Sequence, residues 1–339
     1  MAKAEQSGFA VRGLHLGVGS RGGLERLTTF VRDVLPREGV NVLVAEIDYS
    51  YAFHSYPQVA GRGALTQDDV HSLLAACRAA GVELVPQVNC LGHQSWGGRS
   101  GGLLRAFPEF DETPWIPQEA GQDVIYCRSY CPNHPKVHEV LFRLIDELAE
   151  VCSAGRFHVG MDEVFLIGEA KCPRCAGQDT GKLFAQEVTL LHDHLAAKGL
   201  GMWMWGDRLI KAEQFGTGKW EGSENGTWSA VETVPKDIGI CDWHYDSTFP
   251  TPQFFISKGF GVIASPWRRK EVSLAELGIM REAAKQGKGA LGVLQTTWCG
   301  YEQFIRAYNG ELPAGEERSR SAIGAAESFK ALFAALRGE

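Results

Sequence analysis

The chain contains no run of about 18 apolar residues, and its first residues, MAKAEQSGFAVRG, lack the apolar core of a signal peptide. These absences exclude a helical membrane span, leave no membrane partner, and predict a cytoplasmic chain without an export signal. Basic stretches are missing too: 34 Lys and Arg face 41 Asp and Glu, a formal net charge of −7, so nothing is available to neutralise a phosphate backbone. Nucleic acid is thereby excluded as a partner. No G-x-G-x-x-G follows the first apolar run, since GVGSRGG at 17–23 lacks the spacing, which argues against a dinucleotide fold. Cysteine is odd in number, nine, and Cys90, Cys241 and Cys299 sit inside strand-like apolar runs, which fits reduced thiols better than a disulfide framework. No composition shift marks a linker, and oligomeric state leaves no trace in the sequence.

What is present is rhythm. Eight short apolar runs, at 11–18, 40–48, 82–90, 156–161, 201–206, 237–243, 260–266 and 290–298, alternate with amphipathic segments such as 22–35, 66–80, 135–152, 181–198 and 273–287. Thr66 followed by Asp69 reads as a capping box that starts one of these helices. Eight β-then-α units with nearly continuous apolar strands predict an α/β fold of the (β/α)8 TIM-barrel type, one domain over 1–339. A doubly wound open sheet is the alternative. The longest irregular stretches, 91–134 and 206–236, follow strands three and five, where barrel enzymes build their sites.

A second signal lies at 157–164, FHVGMDEV, an apolar strand ending in two consecutive carboxylates, Asp162 and Glu163. Side chains alternate faces along a strand, so neighbouring acids share a pocket only where the strand ends and its backbone curls. An acidic first turn of a helix is the plainer reading. In a barrel the other strand ends would join them: Asp48 and Tyr49, His93, Trp205 and Asp207, Trp243 to Asp246, Trp267 and Arg268, and Trp298, Tyr301 and Glu302. Four of the eight strands thus end in Trp, and indole faces stack on the C–H faces of sugar rings while acids bind hydroxyls. A carbohydrate is the substrate class this composition predicts.

These residues resemble the catalytic barrel of glycoside hydrolase family 20, the β-N-acetylhexosaminidases. The strand-four signature H-x-G-x-D-E is matched by His158, Gly160, Asp162 and Glu163. Arg12 and Gly13, Gly92 and His93, and Trp205, Trp243 and Trp298 match further positions in order. The resemblance implies retaining hydrolysis of terminal N-acetylhexosaminides in which the substrate's own acetamido oxygen is the nucleophile, an exception to the usual two-carboxylate scheme. It implies that Glu163 is the acid and base, that Asp162 holds the acetamido N–H, and that Tyr245 hydrogen-bonds the acetamido oxygen. Trp205, Trp243 and Trp298 would wall the methyl, Arg12 would grip ring hydroxyls, and His93, Asp207, Asp246, Trp267 and Glu302 would add further substrate contacts. No cofactor is required for this chemistry.

The departures concern sugar contacts and architecture. Gly17 stands where an Asp often ends strand one, Gly300 where a Glu commonly follows the strand-eight Trp, and the Tyr-x-Asp of strand seven is replaced by Pro266, Trp267 and Arg268. A first strand near residue 11 leaves no room for the family's N-terminal accessory domain, so a single-domain variant is expected. CRSYC at 127–131 and KCPRC at 171–175 suggest a structural zinc held by Cys127, Cys131, Cys172 and Cys175, with reduced thiols as the alternative. Two competing functions are a sugar-binding barrel without catalysis and a metal-dependent hydrolase using His93, Asp162, Glu163, Asp207 and His244. The latter lacks the H-x-H of such enzymes, having only His15 on the first strand.

Overall fold

A computed structural model describes residues 8–287, 289–313 and 315–339 of the chain. All eight expected strands form: β1 (Val11–Gly17), β2 (Val42–Glu46), β3 (Glu83–Cys90), β4 (Arg156–Gly160), β5 (Gly201–Trp205), β6 (Gly239–Asp242), β7 (Gly261–Ala264) and β8 (Ala290–Gln295). They run parallel and close into a barrel in chain order, the (β/α)8 arrangement expected. Their side chains are buried almost throughout, as both faces of a covered parallel sheet require. Among the described residues eight helices of seven or more residues accompany them: α1 (Leu24–Asp33), α2 (Gln67–Ala80), α3 (Val137–Val151), α4 (Thr180–Ala196), α5 (Thr251–Ser257), α6 (Lys270–Gln286), α7 (Tyr301–Tyr308) and α8 (Glu317–Arg337). Among the described residues no helix is long and apolar enough to cross a membrane.

The capping box is real: the Thr66 hydroxyl accepts from the Asp69 amide, the Asp69 carboxylate accepts from the Thr66 amide, and Gly81 closes α2 in the left-handed conformation at φ 66°.

By internal packing the chain forms two compact units, one of 1–47, 65–86 and 239–339, the other of 48–64 and 87–238; of the four boundaries, one falls inside β3. In the first unit β2, β1, β8, β7 and β6 pair in succession. Phe30 of α1, Phe304 of α7 and Phe329 of α8 meet edge to face in its core.

In the second unit Gln87 of β3 pairs with His158 of β4, and Phe157 pairs with Met202 of β5. Two buried arginines organise its long loops. Arg128 donates to Asp111 Oδ2 at 2.5 Å and to the carbonyls of Gly98, Thr113, Ile116 and Pro117, which folds the 91–134 segment around one cation. Arg208 does the same after β5, donating to the carbonyls of Lys219, Trp220 and Gly222. Without periodic apolar residues, such loops hold shape through buried charge that is fully hydrogen-bonded.

Candidate active site

The β4 motif is explained residue by residue. His158 is fully buried, its Nδ1 accepts from the Gly160 amide at 3.1 Å, and its ring packs on Trp205 at 4.5 Å between centroids. Gly160 takes φ 69°, and a Cβ there would sit 2.4 Å from Asn89 Oδ1. Met161 and Glu163 also adopt positive φ, 74° and 48°, so the backbone curls as it leaves the strand and turns both acids to one side. Gly92 belongs to the same device, since its Cβ would lie 2.7 Å from the Asp162 carbonyl. Six of the seven non-glycine residues with positive φ among those described, Asp48, Leu91, His93, Met161, Glu163 and Trp298, follow β2, end β3 or β4, or follow β8, which places the backbone strain where the sequence placed the chemistry.

His93 bridges the acids. Its Nε2 stands 3.2 Å from Asp162 Oδ2 and 3.1 Å from Glu163 Oε2, the former acid buried and the latter half-buried. Burial opposes a charged imidazole, yet the Asp162 charge and the bonds to both carboxylates override it and hold the His93 pKa well above its ordinary value. The charged form of the ring is thus favoured where it bridges the two carboxyl groups. Tyr126 bonds the Glu163 carboxylate through its hydroxyl, and burial together with the Glu163 charge pushes that phenol up. Asp207 Oδ2 accepts from the Glu163 amide at 3.0 Å and from Arg208 Nε at 2.6 Å. Asp48 accepts from the Asn89 amide at 2.7 Å and from its side chain at 3.2 Å. Burial raises both carboxyls, Asp48 and Asp207, to about 6, against the lowering effect of Asn89 and His93 on the former and Arg208 on the latter. Around Tyr126 stand Trp220 at 4.9 Å and Trp96 at 5.7 Å, both with exposed faces.

The first unit holds a second predicted group. Tyr245 stacks on Trp243 at 4.8 Å and 26°, meets Trp267 at 5.2 Å, and accepts a hydrogen bond from Trp298 Nε1. Trp267 donates its own indole N–H to the Thr297 carbonyl. Glu302 lies exposed on α7 in a cavity of about 650 Å³ shared with Gly17, Ser20, Gly300 and Tyr301. That cavity contains none of the β4 acids.

Several expectations need correction. Arg12 is the second residue of β1, and its guanidinium donates to the carbonyls of Gly39 and Phe9, so it secures the N-terminal end of its strand and not the C-terminal end, where the site was expected. Trp205 is completely covered and serves as packing for His158 instead of an open wall. Asp207 is 1% exposed and acts through the Glu163 backbone, which makes it a positioning residue. Asp246 is exposed and paired with Arg269 at 3.2 Å. His244 is spoken for as well: its Nε2 contacts the Thr251 hydroxyl at 2.7 Å, which in turn donates to Asp242. Cys127 leaves the cysteine set, because its thiol faces the Glu163 carbonyl at 3.7 Å.

Sequence reasoning passed over Tyr126, Asn89 and Arg208. Asn89 had a readable signal, a polar residue at the buried C-terminal end of its strand. Tyr126 had none, because a loop organised by Arg128 delivers it.

A parallel eight-stranded barrel with two adjacent carboxylates beyond its fourth strand defines a class of barrel in which the acids meet their ligand at the strands' C-terminal ends. The family model "Glycosyl hydrolase family 20, catalytic domain" matches residues 43–270, and the chain belongs to that family. A beta-hexosaminidase of Akkermansia muciniphila is 28% identical over 117 residues, 33% of this chain and 22% of that protein. Beta-hexosaminidase A of Caenorhabditis briggsae is 26% identical over 129 residues, 36% of this chain and 22% of that protein. The alignments thus span about a fifth of the length of these curated relatives. Among solved structures, a chitobiase of Flavobacterium johnsoniae superposes with a TM-score of 0.65 at 18% identity, over 98% of this chain and 52% of that one, a likeness of fold.

Proposed function

We propose that the protein is a retaining β-N-acetylhexosaminidase that cleaves terminal GlcNAc or GalNAc from glycosides by substrate-assisted catalysis. The observation that supports this reading most is the clasp of Asp162 and Glu163 by one imidazolium, His93. Acids adjacent in sequence and gathered on one ring nitrogen approach a sugar from one side, unlike an acid and a protein nucleophile that flank it. They can divide the work on one side of it.

In the first step the acetamido oxygen attacks the anomeric carbon, the glycosidic C–O bond breaks, and Glu163 gives its proton to the leaving oxygen. Asp162 accepts the acetamido N–H and offsets the positive charge that develops on the resulting oxazolinium. A water then attacks the anomeric carbon, gives its proton to Glu163, and reopens the ring with retained configuration. The His93 ring fixes both carboxyl groups, Asp207 fixes the Glu163 backbone, and the Tyr126 hydroxyl fixes the Glu163 side chain. We assign Tyr245, with Trp243 and Trp298 beside it, to the acetamido group, and Trp267 to the ring hydroxyls, and leave Glu302, which lines a separate cavity, out of the site. No cofactor enters a step.

Cleavage of a chromogenic N-acetyl-β-glucosaminide, its persistence in chelator and its inhibition by a GlcNAc-thiazoline test this reading. Binding of the thiazoline without turnover of any N-acetylhexosaminide would replace it with the sugar-binding barrel. Loss of turnover in chelator by a protein that stays folded would favour the metal-dependent hydrolase.

A further inference from the structure

Away from the acids, the loop after β3 and the loop after β4 meet at a cluster the proposed reaction does not use. Cys131 Sγ lies 3.6 Å from Cys172 Sγ and 3.4 Å from Cys175 Sγ, and all three thiols are buried and not joined in a disulfide. Ligand atoms of Glu112, Cys131, Cys172 and Cys175 all lie within 4.8 Å of one another. Sulfurs bound at about 2.3 Å to a tetrahedral zinc would stand a little under 4 Å apart, so these thiols already approximate three corners. Glu112 supplies the fourth. Its side chain is fully buried; Oε1 accepts from the Glu169 amide at 3.0 Å, and the carboxyl group also meets the Cys172 thiol.

A buried carboxylate set against three buried thiols is costly to hold unless protons or a cation meet it. The surroundings are those of a thiolate site. Backbone amides of Arg174 and Cys175 point at the Cys172 sulfur, the turn expected of a C-x-x-C ligand pair, and Asn133 Nδ2 contacts Cys175 Sγ at 3.7 Å. Lys171 and Arg174, flanking the thiols in sequence, carry charge of the right sign to offset a site of three thiolates and one carboxylate.

We propose that Glu112, Cys131, Cys172 and Cys175 bind one zinc ion. The site is closed, with four protein ligands and no open position, so its work is structural. Glu112 leads through its Glu169 contact into the segment that starts at the catalytic pair, and Cys172 and Cys175 end that segment, so the ion fastens the loop after β4 at its far end. The ligand set differs from a four-cysteine site in using Glu112 where Cys127 was expected.

Elemental analysis of the untagged, full-length protein, purified without chelator and dialysed, tests this directly. One zinc per chain is expected, released by a mercurial reagent and read with a chromogenic zinc dye. Cys172→Ser and Glu112→Gln are expected to weaken zinc binding by about 10- to 100-fold or more, whereas Cys127→Ser keeps one equivalent. Three results overturn the proposal: zinc far below one equivalent after incubation with zinc sulfate and dialysis, a mass lowered by the two hydrogens lost in a Cys131 disulfide, or loss of zinc in Cys127→Ser with retention in Glu112→Gln. The wild-type zinc content decides the matter even where a ligand variant fails to fold.

Discussion

The backbone amide of Glu163 donates to Asp207 Oδ2 at 3.0 Å, and the same oxygen takes Arg208 Nε at 2.6 Å. One atom thus couples the Glu163 main chain to the cation that folds the loop after β5. Asp207→Ala is expected to lose about 3–5 kcal/mol of stability, because it strands a guanidinium that is almost wholly buried. Asp207→Asn, which keeps an acceptor near the amide, is expected to fold better and to lose kcat with little change in KM. Urea titrations and steady-state kinetics on both variants check this. Wild-type stability in Asp207→Ala would show that the pair has no structural weight.

His93 gives the site a pH signature with a defined sign. Its folded pKa is raised well above the ordinary value by Asp162 and Glu163, although burial works against this. A raised histidine contributes stability that is fully present below about pH 6.5 and is lost as pH rises through the folded value. The stability difference between wild type and His93→Gln is therefore expected to shrink as pH is raised into the alkaline range. Chemical denaturation at a series of pH values measures it, and a difference that grows with pH would rule out the imidazolium clasp.

Gly160 tests the motif's geometry apart from its chemistry. Gly160→Ala places a Cβ 2.4 Å from Asn89 Oδ1 and 2.9 Å from Asn89 Cα, at φ 69°. The backbone strain alone is worth about 1–3 kcal/mol. A lowered melting temperature is expected, with part of the loss recovered in the Gly160→Ala/Asn89→Ala double variant, since that removes the clash with the Asn89 amide oxygen and leaves the crowding against the β3 main chain. Equal stability of single and double variants would place the cost elsewhere.

What could be read beforehand follows from what leaves a periodic trace. Eight apolar runs and the curl implied by Asp162 and Glu163 are local properties of the chain, and each corresponds to a strand or a strand end. Arg12 went astray because the resemblance, not the strand reading, assigned it to the sugar: the run at 11–18 already began one residue before it, as β1 does. Cys127 and Glu112 exchanged places for a different reason. The path of residues 91–134 is set by Arg128 reaching five acceptors, and no spacing rule predicts which loop residues such a staple brings together. Trp205 was visible as the last residue of its strand, but its burial depends on the His158 ring that packs against it.

Glu163 and Asp162 separate the proposed mechanism from every reading in which the pair is structural. General acid–base help is worth about 10²–10⁴ in rate, so Glu163→Gln is expected to cut kcat on a poor leaving group by that order. An aryl leaving group of low pKa departs without a proton, which leaves only the second step short of a base. Azide, an anion that attacks without deprotonation, is then expected to restore part of the turnover and to yield a glycosyl azide of retained configuration, identified by its anomeric NMR coupling. Asp162→Asn is expected to be crippled on both kinds of leaving group and unresponsive to azide, because its defect lies in forming the oxazolinium. An inverted azide product would sink the substrate-assisted route, and near-wild-type rates in either variant would remove the pair from the chemistry altogether.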